Sequence, residues 1–271
     1  MEKQACITDI ERMNGISVIN TFTNLGITDK DTDSYPSMLN NTEALERDPM
    51  YWHLKYIICS GNKQKTHYLL KWLAYIVRIK KKTGVAIVLT GGHGAGKGMF
   101  VRKLFTIFGK YSYNMTNTQH IQSCSTTFEE ALLVLCDEIS PMKEKMYNIW
   151  KSAITEPIIQ NKDPHSSAKE FYHFGSFIFT SNTADLSGII PLEPTERRFL
   201  FYPVSNELTK LPLEERRKYF ERLNNCDIKP FAKLLYEYDT LSNHGETLEF
   251  DADTIRAKLD NLPSFEYWWF N

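Results

Sequence analysis

The chain has 271 residues, 42% of them hydrophobic, enough to bury a substantial core, and a formal net charge of −1 that excludes a generally basic surface. Its five cysteines (Cys6, Cys59, Cys124, Cys136, Cys226) are odd in number and show no C-x-x-C spacing, which argues against a zinc site or a disulfide framework and fits a reducing, intracellular setting. No run of 18 apolar residues exists and the start Met1-Glu2-Lys3-Gln4-Ala5 is no signal peptide, so neither a membrane span nor secretion is expected.

Residues 1–50 are polar and rich in Asn, Thr and Asp, with a loop expected near Asp31-Thr32-Asp33-Ser34-Tyr35-Pro36. Residues 51–82 carry helical patterns, clearest over Tyr68–Val77, and end in a basic cluster of Arg78, Lys80, Lys81 and Lys82 that reads as a solvated helix end. Val85–Leu89 then reads as a fully buried strand, and Met99–Phe105 as an apolar helix. Between them lies Thr90-Gly91-Gly92-His93-Gly94-Ala95-Gly96-Lys97-Gly98, a glycine loop between strand and helix. In such a loop the glycines let backbone N–H groups turn inward, the helix start adds partial positive charge, and a lysine reaches the terminal phosphates. Gly91, Gly96 and Lys97 fit G-x-x-x-x-G-K, but Gly98 stands where Ser or Thr usually supplies a hydroxyl to magnesium. The bland alternative is a glycine-rich turn.

A second strand, Ala131-Leu132-Leu133-Val134-Leu135-Cys136, ends in Asp137-Glu138. Ligands of open α/β sheets sit at the carboxyl ends of strands. There Asp137 can hold Mg²⁺, directly or through water, and Glu138 can orient the water that attacks a phosphoryl group. The apolar positions 142, 146, 149, 150, 153 and 154 mark one face of a helix, and Ile158–Lys169 reads as two short strands around a turn-rich tip. The strand Phe177–Ser181 ends at Asn182, suited to a γ-phosphate or lytic water and equally to a simple turn. Glu196-Arg197-Arg198 precedes the strand Phe199–Val204; one arginine can neutralise charge on a transferring phosphoryl group while the other forms a salt bridge. Two helices are expected over 213–240, and the closing Phe265-Glu266-Tyr267-Trp268-Trp269-Phe270 reads as a docked aromatic plug or subunit contact, with base stacking as the alternative.

The ordered set GGHGAGKG, LLVLCDE, FIFTSN and ERRF resembles the superfamily 3 helicases of the AAA+ class, in particular the primase-helicases of phages, plasmids and large DNA viruses. The likeness covers roughly residues 65–205 and is looser on both sides. Several members of that group carry G-K-G, so Gly98 is compatible with activity although the direct hydroxyl–Mg²⁺ contact is missing. The resemblance implies an ATP- and Mg²⁺-dependent hexameric ring that translocates on single-stranded DNA. ATP would be held by Gly91, Gly92, His93, Gly94, Ala95, Gly96, Lys97, Gly98 and Met99. Lys97 would be the Walker A lysine, Asp137 and Glu138 the Walker B pair, Asn182 sensor 1, and Arg197 or Arg198 the arginine finger. The hairpin after Glu138 would project into the pore, with Lys162 gripping the DNA backbone and His165 and Lys169 as weaker candidates. One lysine per subunit becomes six around a pore, which reconciles DNA binding with near-zero net charge.

The expected fold is therefore α/β: an AAA+-like P-loop NTPase with a mainly parallel central sheet. Its parts are a polar and helical segment 1–82, an ATPase core 83–205 and a small helical region 206–271. Relatives of this type often carry a primase or primase-polymerase domain before the helicase; residues 1–60 show no carboxylate constellation of that kind, so the resemblance implies such a domain before Met1 in a longer parent chain. Rival readings are a nucleotide-binding oligomerisation module, a DNA-remodelling loader and a small-molecule kinase. A GTPase is disfavoured because Asn161-Lys162-Asp163-Pro164 does not meet N-K-x-D.

Overall fold

The computed structural model describes residues 11–13, 16–18, 22–116, 121, 129–139, 142–161, 169–183, 190, 191, 193, 195–248 and 251–260. Two short strands, β1 (Glu11–Met13) and β2 (Ile16–Val18), pair antiparallel. Helices α1 (Thr42–Arg47) and α2 (Pro49–Trp52) follow, each started by a side chain that accepts a backbone N–H: Asn41 from Ala44, and Asp48 from Tyr51. Without a break the chain enters a π-helical segment, His53–Ile58, which turns His53, Leu54, Ile57 and Ile58 inward. Helix α3 (Lys63–Ile79) ends at Lys80 in the left-handed conformation.

The core follows as β3 (Ala86–Thr90), α4 (Lys97–Phe108), β4 (Ser112–Met115), β5 (Leu133–Cys136) and α5 (Glu144–Thr155). Next come β6 (Ile158–Asn161), β7 (Lys169–Tyr172), β8 (Ser176–Ser181) and β9 (Phe199–Pro203). Four more helices complete the described residues: α6 (Glu207–Lys210), α7 (Leu213–Asn225), α8 (Lys229–Glu237) and α9 (Ala252–Asp260). Among the described residues no helix is long and apolar enough to cross a membrane.

Five parallel strands form the central sheet in the order β4-β5-β8-β3-β9. The expected mainly parallel α/β architecture is thus present. Strand β4 was not anticipated from the sequence; at the sheet edge Ser112 and Tyr113 are only partly buried and Asn114 is exposed, so the strand lacks an apolar run. The buried strands divide by parity. Ile87, Leu89, Leu133, Leu135, Ile178, Leu200 and Tyr202 face a core shared with α3, α4 and α8. Ala86, Val88, Val134, Cys136, Phe177, Phe179, Phe199 and Phe201 face a second core built on Trp150 of α5. Covering both faces explains why these strands read as continuous apolar runs.

The other edge is closed from the C-terminal side. Thr254 Oγ1 accepts the Phe201 N–H at 3.1 Å, while buried Lys65 donates to the Phe201 carbonyl and pairs with Asp251 at 3.1 Å and Asp253 at 2.5 Å. An edge strand so occupied offers little to a foreign strand. Segments outside 83–205 therefore pack directly on the sheet.

Lys82, read from the sequence as part of a solvated helix end, is buried, and burial pushes its pKa down to about 7. Its ammonium donates to the carbonyls of Ala153 and Glu156 at the end of α5 and meets His173 Nε2 at 3.0 Å. It thereby ties the approach to β3 to the base of the β6–β7 pair, at a helix C-terminus whose carbonyls attract a cation. Periodicity along α3 could not show this, because the partners lie 71–91 residues away.

Candidate nucleotide site

At the carboxyl end of β3 the loop Gly91–Gly96 turns into α4. Gly91, Gly94 and Gly96 all have positive φ (144°, 75° and 92°), a region that side chains with a Cβ rarely adopt. Towards solvent the loop is open: a Cβ at Gly92 would meet nothing nearer than Asn206 at 3.7 Å, and one at Gly94 nothing nearer than the Arg216 guanidinium at 3.7 Å. His93 is exposed, whereas Ala95 is buried and Met99 packs against the main core. Beneath the loop, space is absent. A Cβ at Gly96 would lie 2.7 Å from His53 Cε1 and 3.0 Å from a ring carbon of Phe220.

Lys97, the first residue of α4, is buried. Its ammonium donates back to the carbonyls of Gly91 at 2.7 Å and Gly92 at 2.9 Å. Burial lowers its pKa, against the opposing pull of Asp137 and Glu138. Among the described residues no carboxylate lies within ion-pair distance of this buried cation. Open loop, inward lysine and helix start together fit an anion such as a triphosphate.

The acidic pair emerges from the end of β5, one strand removed from β3. Between them runs β8, which places Thr180 and Asn182 beside the carboxylates. Thr180 Oγ1 donates to Asp137 Oδ1 at 2.6 Å and accepts the Glu138 N–H at 2.9 Å. The Ile139 N–H reaches the Thr180 carbonyl at 2.9 Å, closing the turn. Glu138 is held at φ 54°, left-handed for a non-glycine residue, and its exposed carboxylate accepts from Asn182 Nδ2 at 3.2 Å. Strain of this kind persists where surrounding contacts over-determine it. Lys97, Asp137, Glu138 and Asn182 are thus brought to the ends of neighbouring strands. Among the described residues no group of three or more His, Cys, Asp or Glu gathers to hold a metal ion. A magnesium ion needs less protein here, since one carboxylate plus phosphates and water complete its usual shell.

The two arginines part company. Arg198 is half-buried and folded onto Glu196, with Nη1 at 3.1 and 3.3 Å from the two carboxylate oxygens. Glu196 also accepts the Tyr147 hydroxyl at 2.7 Å and the backbone N–H groups of Arg197 and Arg198 at 2.9 and 2.8 Å. Burial alone would raise the Glu196 pKa; these hydrogen bonds, Tyr147 foremost, hold it below the usual value. Arg197 points to solvent, and its guanidinium has no partner among the described residues. As for the hairpin, Lys162 and His165 lie outside the described residues, as do 265–270, while Lys169 opens β7 with its backbone paired to Asn161.

Comparison with known proteins adds relatives. Residues 89–198 match a family described as a family of unknown function (DUF5906), a span that contains every expected nucleotide-site residue of the loop, β5, β8 and the arginine pair. Over 173 residues, 61% of this chain, the sequence is 31% identical to the DNA primase-polymerase of Nitratiruptor phage NrS-1. The chain is related to a phage DNA primase-polymerase. It spans only 23% of that relative's length. The apo structure of the NrS-1 C-terminal region superposes with a TM-score of 0.72 at 21% identity, covering 97% of this chain and 60% of that one. An A-form apo structure of the same region gives 0.71 at 19% identity with the same coverage. The mixed α/β fold is therefore shared with that region.

Three neighbours of the loop escaped sequence reasoning. His53 lies wholly buried beneath Gly96, its Nδ1 2.7 Å from the Tyr219 hydroxyl, and burial pushes its pKa down to about 3. Arg216 of α7 stands over Gly94. Arg102, one turn into α4, pairs with Asp137 Oδ2 at 2.9 Å. None belongs to a local motif. The charges of Arg102 and Arg216 stand in the sequence, but nothing along the chain tells which acid or loop each one meets.

Proposed function

We propose that this chain is the ATP-hydrolysing motor of a viral or mobile-element DNA replication protein, a ring-forming helicase that moves on single-stranded DNA. The observation that carries the reading is the convergence of Lys97, Asp137, Glu138 and Asn182 at the carboxyl ends of β3, β5 and β8. Relationship to a phage DNA primase-polymerase supports the replication setting and a primase or polymerase domain elsewhere in the parent chain.

In the proposed cycle Lys97 leaves the Gly91 and Gly92 carbonyls and pairs with the terminal phosphates of ATP. Asp137, oriented by Thr180, would hold Mg²⁺, whose charge offsets that of the phosphates. Glu138 accepts a hydrogen bond from the attacking water, and Asn182 fixes the direction of its carboxylate. Arg197 is assigned as the arginine a neighbouring subunit receives, because Arg198 is already engaged by Glu196. The DNA contact is assigned to the segment between β6 and β7, with Lys162 as the first candidate and His165 and Lys169 as weaker ones.

A second reading, a nucleotide-binding oligomerisation or DNA-remodelling module without translocation, draws on Gly98, which supplies no hydroxyl to a cation, and on the Arg102–Asp137 pair, which engages the carboxylate expected to hold one. Hydrolysis measured with and without single-stranded DNA separates the two, using Lys97→Ala as the blank. The motor reading requires DNA-stimulated turnover that Lys97→Ala abolishes. Turnover indifferent to DNA supports the second reading, and turnover that survives in Lys97→Ala refutes the site.

A further inference from the structure

Gly98 and Arg102 sit one helical turn apart on α4, and the structure gives their pairing a role. A Cβ built at Gly98 would lie 2.8, 3.0 and 3.1 Å from Nη2, Nη1 and Cζ of Arg102. The guanidinium therefore lies against the bare α-carbon, filling the volume a serine or threonine side chain would take. From there Nη1 reaches Asp137 Oδ2 at 2.9 Å, while Oδ1 is taken by the Thr180 hydroxyl at 2.6 Å. Both carboxylate oxygens of the expected cation ligand are thus occupied, one of them by a positive charge that belongs to the chain.

We infer that Arg102 is an internal occupant of the divalent-cation position, which a metal ion must displace before it can bind Asp137. Two cations cannot share that oxygen without strong repulsion. Glycine at 98 lets the guanidinium lie this close to the helix, and a side chain there would make it shift. The pair is also easily broken. Arg102 is 53% exposed and Asp137 26%, so the contact is one that water screens. The consequence is a site whose affinity for a free cation is lowered by the pair it must break, a cost offset when metal arrives together with phosphates. This inference rests on the nucleotide-site reading, and it explains how a chain without the loop hydroxyl controls its metal ligand.

The test uses Mn²⁺ as the metal probe, followed by the loss of its free-ion EPR signal on adding protein, first without nucleotide and then with an equimolar non-hydrolysable ATP analogue against a protein-free control of the same analogue and Mn²⁺. Binding of a fluorescent ATP analogue without metal is measured in parallel. Arg102→Ala is expected to bind Mn²⁺ about 5-fold more tightly than the parent, the scale of a screened ion pair. Gly98→Ala, which changes no charge but displaces the guanidinium, is expected to shift affinity in the same direction. Lys103→Ala removes a neighbouring cation that bonds the Asn224 and Cys226 carbonyls instead, and is expected to leave Mn²⁺ affinity unchanged. Unchanged or weaker Mn²⁺ binding in Arg102→Ala overturns the inference, whatever Gly98→Ala does, while metal-free analogue binding keeps the nucleotide site. An equal gain in Lys103→Ala also overturns it, as an effect of bulk charge. Failure of the parent to bind the analogue at all removes the nucleotide reading and the inference with it.

Discussion

Replacing Gly96 with alanine perturbs the loop where it is most tightly held. At φ 92° an added Cβ costs about 1–2 kcal/mol through the left-handed backbone alone. The same atom would sit 2.7 Å from His53 Cε1 and 3.0 Å from Phe220, and the ring has little room to retreat because it is fully buried and held by Tyr219. Overpacking of that kind adds about 1–3 kcal/mol. The expected loss of roughly 2–5 kcal/mol corresponds to a fall in Tm of about 4–20 °C for a domain of this size. Thermal unfolding by circular dichroism measures it. Combining Gly96→Ala with His53→Ala removes the steric part and leaves the backbone part, so the two substitutions should couple by about 1–3 kcal/mol. A Tm within about 2 °C of the parent, or strict additivity in the double variant, would refute the packing of His53 beneath the loop.

Arg197→Ala should lose about 10³-fold in DNA-stimulated ATP turnover with an unchanged Tm, whereas Arg198→Ala should lower Tm by breaking the Glu196 cluster; the reverse pattern would exchange their roles. Lys82 gives a pH signature. Its native pKa is pushed down to about 7, while an unfolded lysine titrates near 10.4, so between these values the unfolded chain binds more protons and stability rises with pH. The stability difference between the parent and Lys82→Met, from urea unfolding at pH 7 to 10, should therefore grow in the parent's favour by about 1 kcal/mol per pH unit. A flat difference would show that Lys82 keeps its proton in the folded state.

Much of the site could be read along the chain because its parts are local. A strand, a glycine loop and a helix start are contiguous in sequence, and the apolar run ending in Asp137-Glu138 announces a buried strand with a charged end. What the run of residues could not supply was the order of strands. Asn182 faces Glu138 only because β8 lies between β3 and β5, an arrangement set by how both sheet faces are buried under α3, α4, α5 and α8. The division of labour between Arg197 and Arg198 was equally hidden, since it depends on Tyr147 of α5 helping to bury Glu196. His53 under Gly96 and the buried Lys82 belong to the same class. Their partners are distant in sequence, His53 and Tyr219 being 166 residues apart, and packing rather than periodicity selects them. Local propensity and spacing thus determined that a glycine loop joins a buried strand to a helix and that a second buried strand ends in two acids. Long-range burial, which brings a cation or a ring to whatever space the core leaves, determined which side chains restrain them.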